Sequence, residues 1–370
     1  MQQPQMQTPS QNSARPIQVD LIRTAAVLGV LLLHAANDLT TQNLNTLEIW
    51  RWCIVDVYQS IGRMGVPLFI MLTGALLLAP SKQNEDLSTF FKKRFSRIGL
   101  PFVFWGVLYF LWDLYVENQP ATQSFFINGI LRGPYFTFWY LYMLVGLYLV
   151  TPLLRVLVAN ASQKLLKYGF VVWFVGTALA PLIPFFSSAV LGTVYSLDAN
   201  VFVIPQYVGY FVLGAYLVNV KVTNRKLLAG IMTLGIALTA IGTYIIAATV
   251  GGGTTYYFQE YISPTLIMSA VPFFLLLNSH KSKATVECSA AKPSLIRRIM
   301  HLISDNTLPI FLFHMIVIYT LQNGLLGVTL NGDVLNSIVG VPLMAILTLA
   351  ICLAVLVPLK KVPVLKKLIG

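Results

Sequence analysis

The dominant pattern along the 370-residue chain is a recurrence of long apolar runs separated by short polar connections. Each run is roughly 17 to 25 residues long, which is the length that an α-helix needs to cross the hydrocarbon core of a bilayer. In lipid the backbone polar groups must be satisfied internally, so the pattern predicts an all-α polytopic membrane protein. We predict about ten transmembrane helices, at residues 18–37, 64–80, 99–117, 136–155, 169–187, 203–219, 227–249, 263–279, 307–323 and 338–357.

The composition agrees with this pattern and divides the chain into three parts. Hydrophobic residues make up 56% of the chain and charged residues 10%, and the mean hydropathy is +0.73, far from the values of soluble domains. Residues 1–16 are rich in Gln, Ser and Pro and lack an apolar signal core, so we expect a disordered cytoplasmic tail. Residues 17–358 then form the transmembrane domain, and residues 359–370 form a basic cytoplasmic tail.

The distribution of basic residues predicts the orientation of the chain. With the N-terminus in the cytoplasm, 21 of the 25 Lys and Arg residues fall in inside segments. This positive-inside asymmetry predicts that both termini are cytoplasmic, and it explains the net charge of +12 without a nucleic-acid partner. Cys53, Cys288 and Cys352 fall in different predicted compartments, so we expect neither a disulfide nor a metal site.

The first apolar run carries three residues that the bilayer disfavours, namely Asp20, Arg23 and His34. Asp20 and Arg23 are spaced to pair near the helix end, where an ion pair can also be a simple interfacial feature. Eleven residues, close to three full turns, separate Arg23 from His34, so both lie on one face about 16 Å apart along the axis. A lone His near a span end is often interfacial, but its alignment with Arg23 favours a general base.

A cytoplasmic basic cluster precedes the third predicted span and includes Arg94 and Arg97. Two guanidinium groups one turn apart can bind phosphate oxygens in bidentate fashion. The positive-inside rule alone also produces such clusters, so both explanations stay open.

Four further residues are candidates for binding, each with a structural alternative. Trp139 and Tyr140 belong to a dense aromatic run that can form one wall of a sugar site or an interfacial belt. Arg63 precedes the second predicted span, where it can orient an anionic acceptor or anchor the interface. His314 can support a nearby reaction site, or it can be a bundle-core histidine bonded across helices.

These motifs, in this order, resemble the membrane-bound acyltransferase-3 family of integral-membrane O-acyltransferases. The resemblance covers residues 17 to about 358, although residues 160–305 carry no motif. Its elements are Arg23 with ten residues before His34, the Arg63-Met-Gly-Val-Pro-Leu-Phe-Ile-Met-Leu-Thr-Gly74 segment, Arg94-x-x-Arg97 before Pro101, Phe138-Trp-Tyr-Leu141 with Thr151-Pro-Leu-Leu-Arg155, and Phe313-His314.

The resemblance implies a reaction and roles for the candidate residues. We expect an O-acetyltransferase of the plasma membrane that uses acetyl-coenzyme A and modifies a hydroxyl of a surface glycan, a glycolipid or a lipid-linked precursor. His34 would deprotonate the acceptor, or relay the acyl group. Asp20 and Arg23 would organise the polar stripe, which is the line of Asp20, Arg23 and His34 along the first predicted helix. Arg94 and Arg97 would hold the phosphates of the donor, and His314 would support its thioester. The sequence carries no signal for the oligomeric state.

A transporter or flippase for a lipid-linked glycan or glycolipid is the alternative from another functional class. A bundle of ten helices with scattered polar residues is compatible with such a protein. Two features favour the enzyme: the cytoplasmic Arg-x-x-Arg pair and the alignment of Arg23 with His34. Transporters built from inverted repeats also show paired helix interruptions, and the Gly and Pro interruptions here do not form two matching halves.

Overall fold

The protein is described by a computed structural model that covers residues 16–36, 48–183, 187, 193, 206–250, 257–280, 294–325, 327, 329–330 and 336–370. Regular structure within these ranges is entirely helical. This agrees with the predicted all-α class. The predicted N-terminal tail lies outside the described ranges except for Pro16, and so do Asn37, Asp38 and Cys288.

The described ranges contain α-helices that we number in chain order. They are α1 Ile17–Ala35, α2 Ile49–Gly62, α3 Gly65–Leu77, α4 Leu87–Tyr115, α5 Gln123–Arg132, α6 Trp139–Asn160, α7 Gln163–Phe174, α8 Gln206–Leu217, α9 Arg225–Val250, α10 Pro264–Asn278, α11 Leu295–Asp305, α12 Thr307–Gln322, α13 Ser337–Leu359 and α14 Pro363–Ile369. A π-helical turn, Val175–Leu179, extends α7, and 3₁₀ turns occupy Pro80–Lys82, Phe136–Phe138 and Tyr257–Gln259.

Short polar side chains begin several of these helices. Asp86 accepts a hydrogen bond from the Thr89 amide (3.0 Å) at the start of α4, and Ser263 accepts one from the Leu266 amide (3.2 Å) at the start of α10. Such caps satisfy amide groups that the first helical turn leaves without intrahelical partners. The caps therefore mark where these helices begin, a boundary that the hydropathy of the sequence does not show.

Seven helical segments in the described ranges are long and apolar enough to cross a membrane, and the number rises to eight if α11 and α12, bent by 80°, form one span. The predicted count of about ten is therefore not confirmed. One cause is α8, which has only 12 residues, whereas a span needs about 20. Many large apolar side chains on α4 and α6 face outward, as expected for a surface in contact with lipid.

Helix α1 lies at the centre of the bundle. It packs against α2, α3, α10, α11, α12 and α13. The buried side chains of Ala26, Val27, Val30 and Leu31 form its contact surface, and each is at most 3% exposed. Because α1 carries Asp20, Arg23 and His34, its central position brings residues from the rest of the chain to all three.

Two glycines bring the α2–α3 junction into backbone contact with α1. A Cβ atom at Gly62 would lie 2.7 Å from the Gly29 carbonyl oxygen, and one at Gly65 would lie 2.6 Å from the Ala26 carbonyl oxygen. Only glycine permits so close an approach. Together α2 and α3 make one 29-residue apolar segment, Ile49–Leu77. Arg63 therefore lies within this segment, at the junction directly before α3, and the predicted start of the second span at residue 64 is not confirmed.

Candidate functional site

A cavity of about 390 Å³ opens at one end of the bundle, which we call the basic end. Residues from α1, α3, α4, α6, α11 and α12 line it. Its basic side chains are Arg23, Lys82, Arg94, Arg97 and Lys360. Among the lining residues that the structure describes, Asp305 is the one acidic side chain, so this part of the cavity carries an excess of positive charge and suits a polyanionic ligand.

Arg94 is held at this cavity by an aromatic contact. Its guanidinium carbon lies 5.5 Å from the ring centroid of Phe90, which is fully buried. The guanidinium carbon of Arg155 lies 4.7 Å from the centroid of the same ring. Cation–π contacts of this kind fix the position of a guanidinium group without neutralising it. The charge of Arg94 therefore stays available to a ligand.

The structure separates the two ends of the predicted polar stripe on α1. Arg23 lines the cavity at the basic end, and His34 lines a small cleft eleven residues along the helix. Asp20 is buried, and its Oδ2 lies 3.1 Å from Nδ1 of His301 on α11. His301 also approaches Asp305, with 3.2 Å between Nε2 and Oδ2. Asp20 thus joins α1 to the rim of the basic cavity.

His34 lies among aromatic rings and a second histidine. Its ring centroid is 5.5 Å from that of Phe136, which meets it edge-on, and 5.1 Å from that of His314 on α12. Val30, Leu33, Val66, Thr137, Trp139, Tyr140, Tyr261 and Phe311 complete the cleft. The predicted aromatic run around Trp139 therefore lies beside His34.

His314 is fully buried and has one ring nitrogen in use. Its Nδ1–H donates to the Phe311 carbonyl oxygen over 2.6 Å, and Nε2 has no hydrogen-bond partner in the described part of the chain. A proton on Nδ1 leaves the lone pair on Nε2. His314 does not line the basic cavity but a small apolar space beside Val27 and Phe69. It therefore lies with His34 rather than with the basic side chains.

Arg63 belongs to a buried polar network close to the histidines. Its Nη2 donates to Oε1 of Gln259 (2.9 Å), and Nε2 of Gln259 donates to Oδ1 of Asp56 (2.7 Å). Asp56 and Gln259 are each 1% exposed. The guanidinium carbon of Arg63 also lies 5.8 Å from the ring centroid of Tyr261, a residue of the His34 cleft.

The two predicted aromatic residues have different surroundings. Trp139 is partly buried and lies against Tyr207 and Tyr261, with centroid distances of 5.8 Å and 5.4 Å. Tyr140 is 7% exposed and lies between Phe69 (6.3 Å) and Phe311 (5.0 Å). Trp139 thus lines the cleft but not the basic cavity, whereas Tyr140 lines both.

Several site residues are absent from the sequence-based prediction. Lys82 and Lys360 counted there only as topological charges, although both line the basic cavity. Gln259, Tyr261 and His301 lie in the stretch without motifs, and no local pattern distinguishes them. Their proximity to Arg63, His34 and Asp20 is a property of helix packing.

The fold and these cavities define a multi-pass membrane protein in which a cation-lined cavity and a histidine-containing cleft are served by one central helix. The sequence matches the acyltransferase-3 family, described as an acyltransferase domain, over residues 17–357. The chain therefore belongs to this family. No solved structure is a significant match.

A curated protein of Acidianus two-tailed virus is also similar to this chain. It is named "Putative acetyltransferase ORF330" and is 28% identical over 165 residues. The match covers 42% of this chain and 45% of the viral protein, so this chain spans less than half the length of that relative.

Proposed function

We propose that this protein is a membrane O-acyltransferase that moves an acyl group from an acyl-coenzyme A to a hydroxyl group of a glycan, a glycolipid or a lipid-linked precursor. The observation that carries the proposal is the arrangement along α1, which has a basic cavity at one end and His34 beside His314 about 16 Å further along. Membership of the acyltransferase-3 family supports the reaction class.

The basic cavity is the proposed donor site. Coenzyme A carries several phosphate groups, and Arg94, Arg97 and Arg23 offer guanidinium groups that bind phosphate oxygens in pairs. Lys82 and Lys360 add point charges. The positive-inside rule directs this end to the cytoplasm, where the donor is found, and we propose the plasma membrane as the location.

His34 is the proposed general base. It takes the proton of the acceptor hydroxyl while that oxygen forms an ester bond with the acyl carbon. The carbon–sulfur bond of the donor breaks, and His34 returns the proton to the departing thiolate. His314 presents its free Nε2 close to His34, so it can orient the imidazole or share the proton. The same residues also serve a route through an acyl-histidine.

Arg63, Trp139 and Tyr261 form the proposed acceptor side of the site. Arg63 can pair with an anionic group such as the diphosphate of a lipid carrier. Trp139 and Tyr261 offer ring faces to a sugar. We propose an acetyl group as the cargo, because the free space beside His34 is only about 10 Å³.

Replacement of His34 tests the proposal. Membranes that contain the protein should transfer label from radiolabelled acetyl-coenzyme A into a glycan or glycolipid fraction, and His34→Gln should lower the rate by about 10²–10⁴-fold, the usual contribution of a general base. His280→Gln is the matched control, because His280 is exposed and lies outside both cavities.

Two results would contradict this assignment. Full transfer by His34→Gln would remove His34 from the reaction. Movement of an unmodified lipid-linked glycan by the wild-type protein, with no label transferred, would instead favour the transporter.

A further inference from the structure

Three aromatic side chains lie between the basic cavity and the two histidines. They are Phe69 on α3, Tyr140 on α6 and Phe311 on α12. Tyr140 and Phe311 line both the basic cavity and the His34 cleft, and Phe69 lines the basic cavity and the apolar space beside His314. The three rings therefore lie at the boundary between the basic cavity and the spaces around the two histidines.

The three rings form a continuous layer. The centroid of Tyr140 lies 6.3 Å from that of Phe69 and 5.0 Å from that of Phe311, and each side chain is 7–8% exposed. Each ring comes from a different helix. Ring pairs at these distances attract one another beyond the effect of burying their area, which stabilises the layer.

The free volumes on the two sides of the layer differ widely. The basic cavity measures about 390 Å³, whereas the space beside His34 measures about 10 Å³. The latter is close to the volume needed for one water molecule. A short acyl group can be accommodated there by small side-chain movements, but each added methylene displaces packed aromatic atoms.

We propose that Phe69, Tyr140 and Phe311 form an aromatic partition that sets the acyl-chain length of the donor. The partition admits the thioester carbonyl with a short acyl group to His34 and excludes longer chains. This inference rests on the proposed function, because it assumes a donor in the basic cavity and a reaction at His34.

The acyl-chain preference of variants tests the partition. The wild-type protein should transfer acetyl more efficiently than butyryl or hexanoyl groups from their coenzyme A thioesters. Tyr140→Ala and Phe311→Ala should raise the butyryl-to-acetyl ratio of kcat/KM by about tenfold or more, because one or two methylene groups in an apolar pocket change the ratio by this order. Tyr140→Leu and Phe311→Leu provide milder versions if the alanine variants fold poorly.

The matched control is Phe170→Ala. Phe170 is also a partly buried aromatic residue in a ring pair, with Tyr216 at 5.4 Å, but it lines neither cavity. The control should keep the wild-type ratio. A wild-type preference for long chains, or an unchanged ratio in active Tyr140 and Phe311 variants, would overturn the partition.

A second measurement does not depend on enzymatic activity. In a background with Cys53, Cys288 and Cys352 replaced by Ser, His34→Cys should react slowly with a membrane-impermeant thiol reagent supplied at the basic end. Adding Tyr140→Ala or Phe311→Ala should speed the labelling about tenfold or more. Equal labelling rates with and without Tyr140→Ala or Phe311→Ala would overturn the partition. If these changes speed the labelling of His34→Cys but the wild-type protein transfers no acyl group, the rings separate the two spaces and only the proposed function is overturned.

Discussion

Gln259 is the residue that connects the acidic and basic members of the network near His34. Its side-chain amide accepts from Arg63 and donates to Asp56, and it is almost completely buried. A neutral linker of this kind orients a guanidinium group and leaves its charge uncancelled by direct pairing. Arg63 can thus present positive charge to an acceptor.

Replacement of Gln259 by Leu tests this role. Without the amide, Arg63 loses a charged hydrogen bond worth about 1.5–3 kcal/mol, so we expect the acceptor KM to rise roughly tenfold while kcat changes less. The check is a kinetic comparison at saturating donor, with Gln163→Leu, an exposed position at the start of α7, as the control. An acceptor KM equal to that of the wild type would show that Gln259 does not position Arg63 for binding.

At the scale of single residues, helical periodicity predicts which side chains share a face of one helix, but not which side chains of different helices meet. The alignment of Arg23 and His34 follows from the spacing of eleven residues, and both line cavities in the structure. The proximity of His314 to His34 requires α12 to pack against α1. No local sequence pattern specifies which helices become neighbours, so such pairs could not be predicted.

At the scale of helices, a partly buried ion cluster joins α3, α4 and α6 beside the basic cavity. Arg155 on α6 donates to the Leu77 carbonyl oxygen (2.8 Å) and to Oε2 of Glu85 (3.0 Å), and Lys93 on α4 donates to Oε1 of Glu85 (2.8 Å). The hydrogen bond from Lys93, joined by the one from Arg155, lowers the pKa of Glu85 to about 2. The cluster fixes the start of α4, which carries Arg94.

The lowered pKa gives a prediction for stability against pH. A carboxyl group whose pKa is lower in the folded state stabilises the protein above its unfolded pKa, here 4.5, and loses this effect as the pH falls toward about 2. Glu85→Gln should therefore lower the Tm in detergent by a constant amount between pH 5 and pH 8, and the difference should narrow below about pH 4.5.

The control for this prediction is Glu48→Gln. Glu48 pairs with Arg51 at 3.4 Å, but its side chain is 65% exposed, and exposed pairs contribute little to stability. Glu48→Gln should leave the Tm almost unchanged at every pH. A Glu85→Gln variant with wild-type stability at pH 7 would show that the cluster does not hold the helices together.

At the scale of the whole molecule, hydropathy predicts the class and most helices but not their division into spans. The predicted spans at 99–117, 227–249, 263–279 and 338–357 each fall largely within one observed apolar helix. The predicted span at 64–80 covers only the second part of the apolar segment Ile49–Leu77, because Arg63 and two glycines interrupt this segment and resemble a span boundary in the sequence. Close packing of Gly62 and Gly65 on α1 explains this interruption instead.

The basic cavity and the His34 cleft lie at different points along α1, so the donor side and the reaction site of the whole molecule can be told apart. The basic cavity is lined by Arg and Lys side chains from helices that are far apart in the sequence, and α1 runs from this cavity to the histidines. The central claim is that an acyl donor enters at the basic end and that its acyl group reacts at His34. This claim requires Arg94 and Arg97 to act as ligands rather than only as topological charges.

The most direct test is the apparent KM for acetyl-coenzyme A supplied only to the basic face of sealed vesicles. The double variant Arg94→Gln with Arg97→Gln should raise this KM about tenfold or more, because each charged hydrogen bond to phosphate is worth about 1.5–3 kcal/mol. Lys92→Gln, which alters an exposed neighbour in the same cluster that does not line the cavity, should leave the KM unchanged. Equal KM values in the double variant and the wild type, or transfer only from the opposite face, would contradict the account.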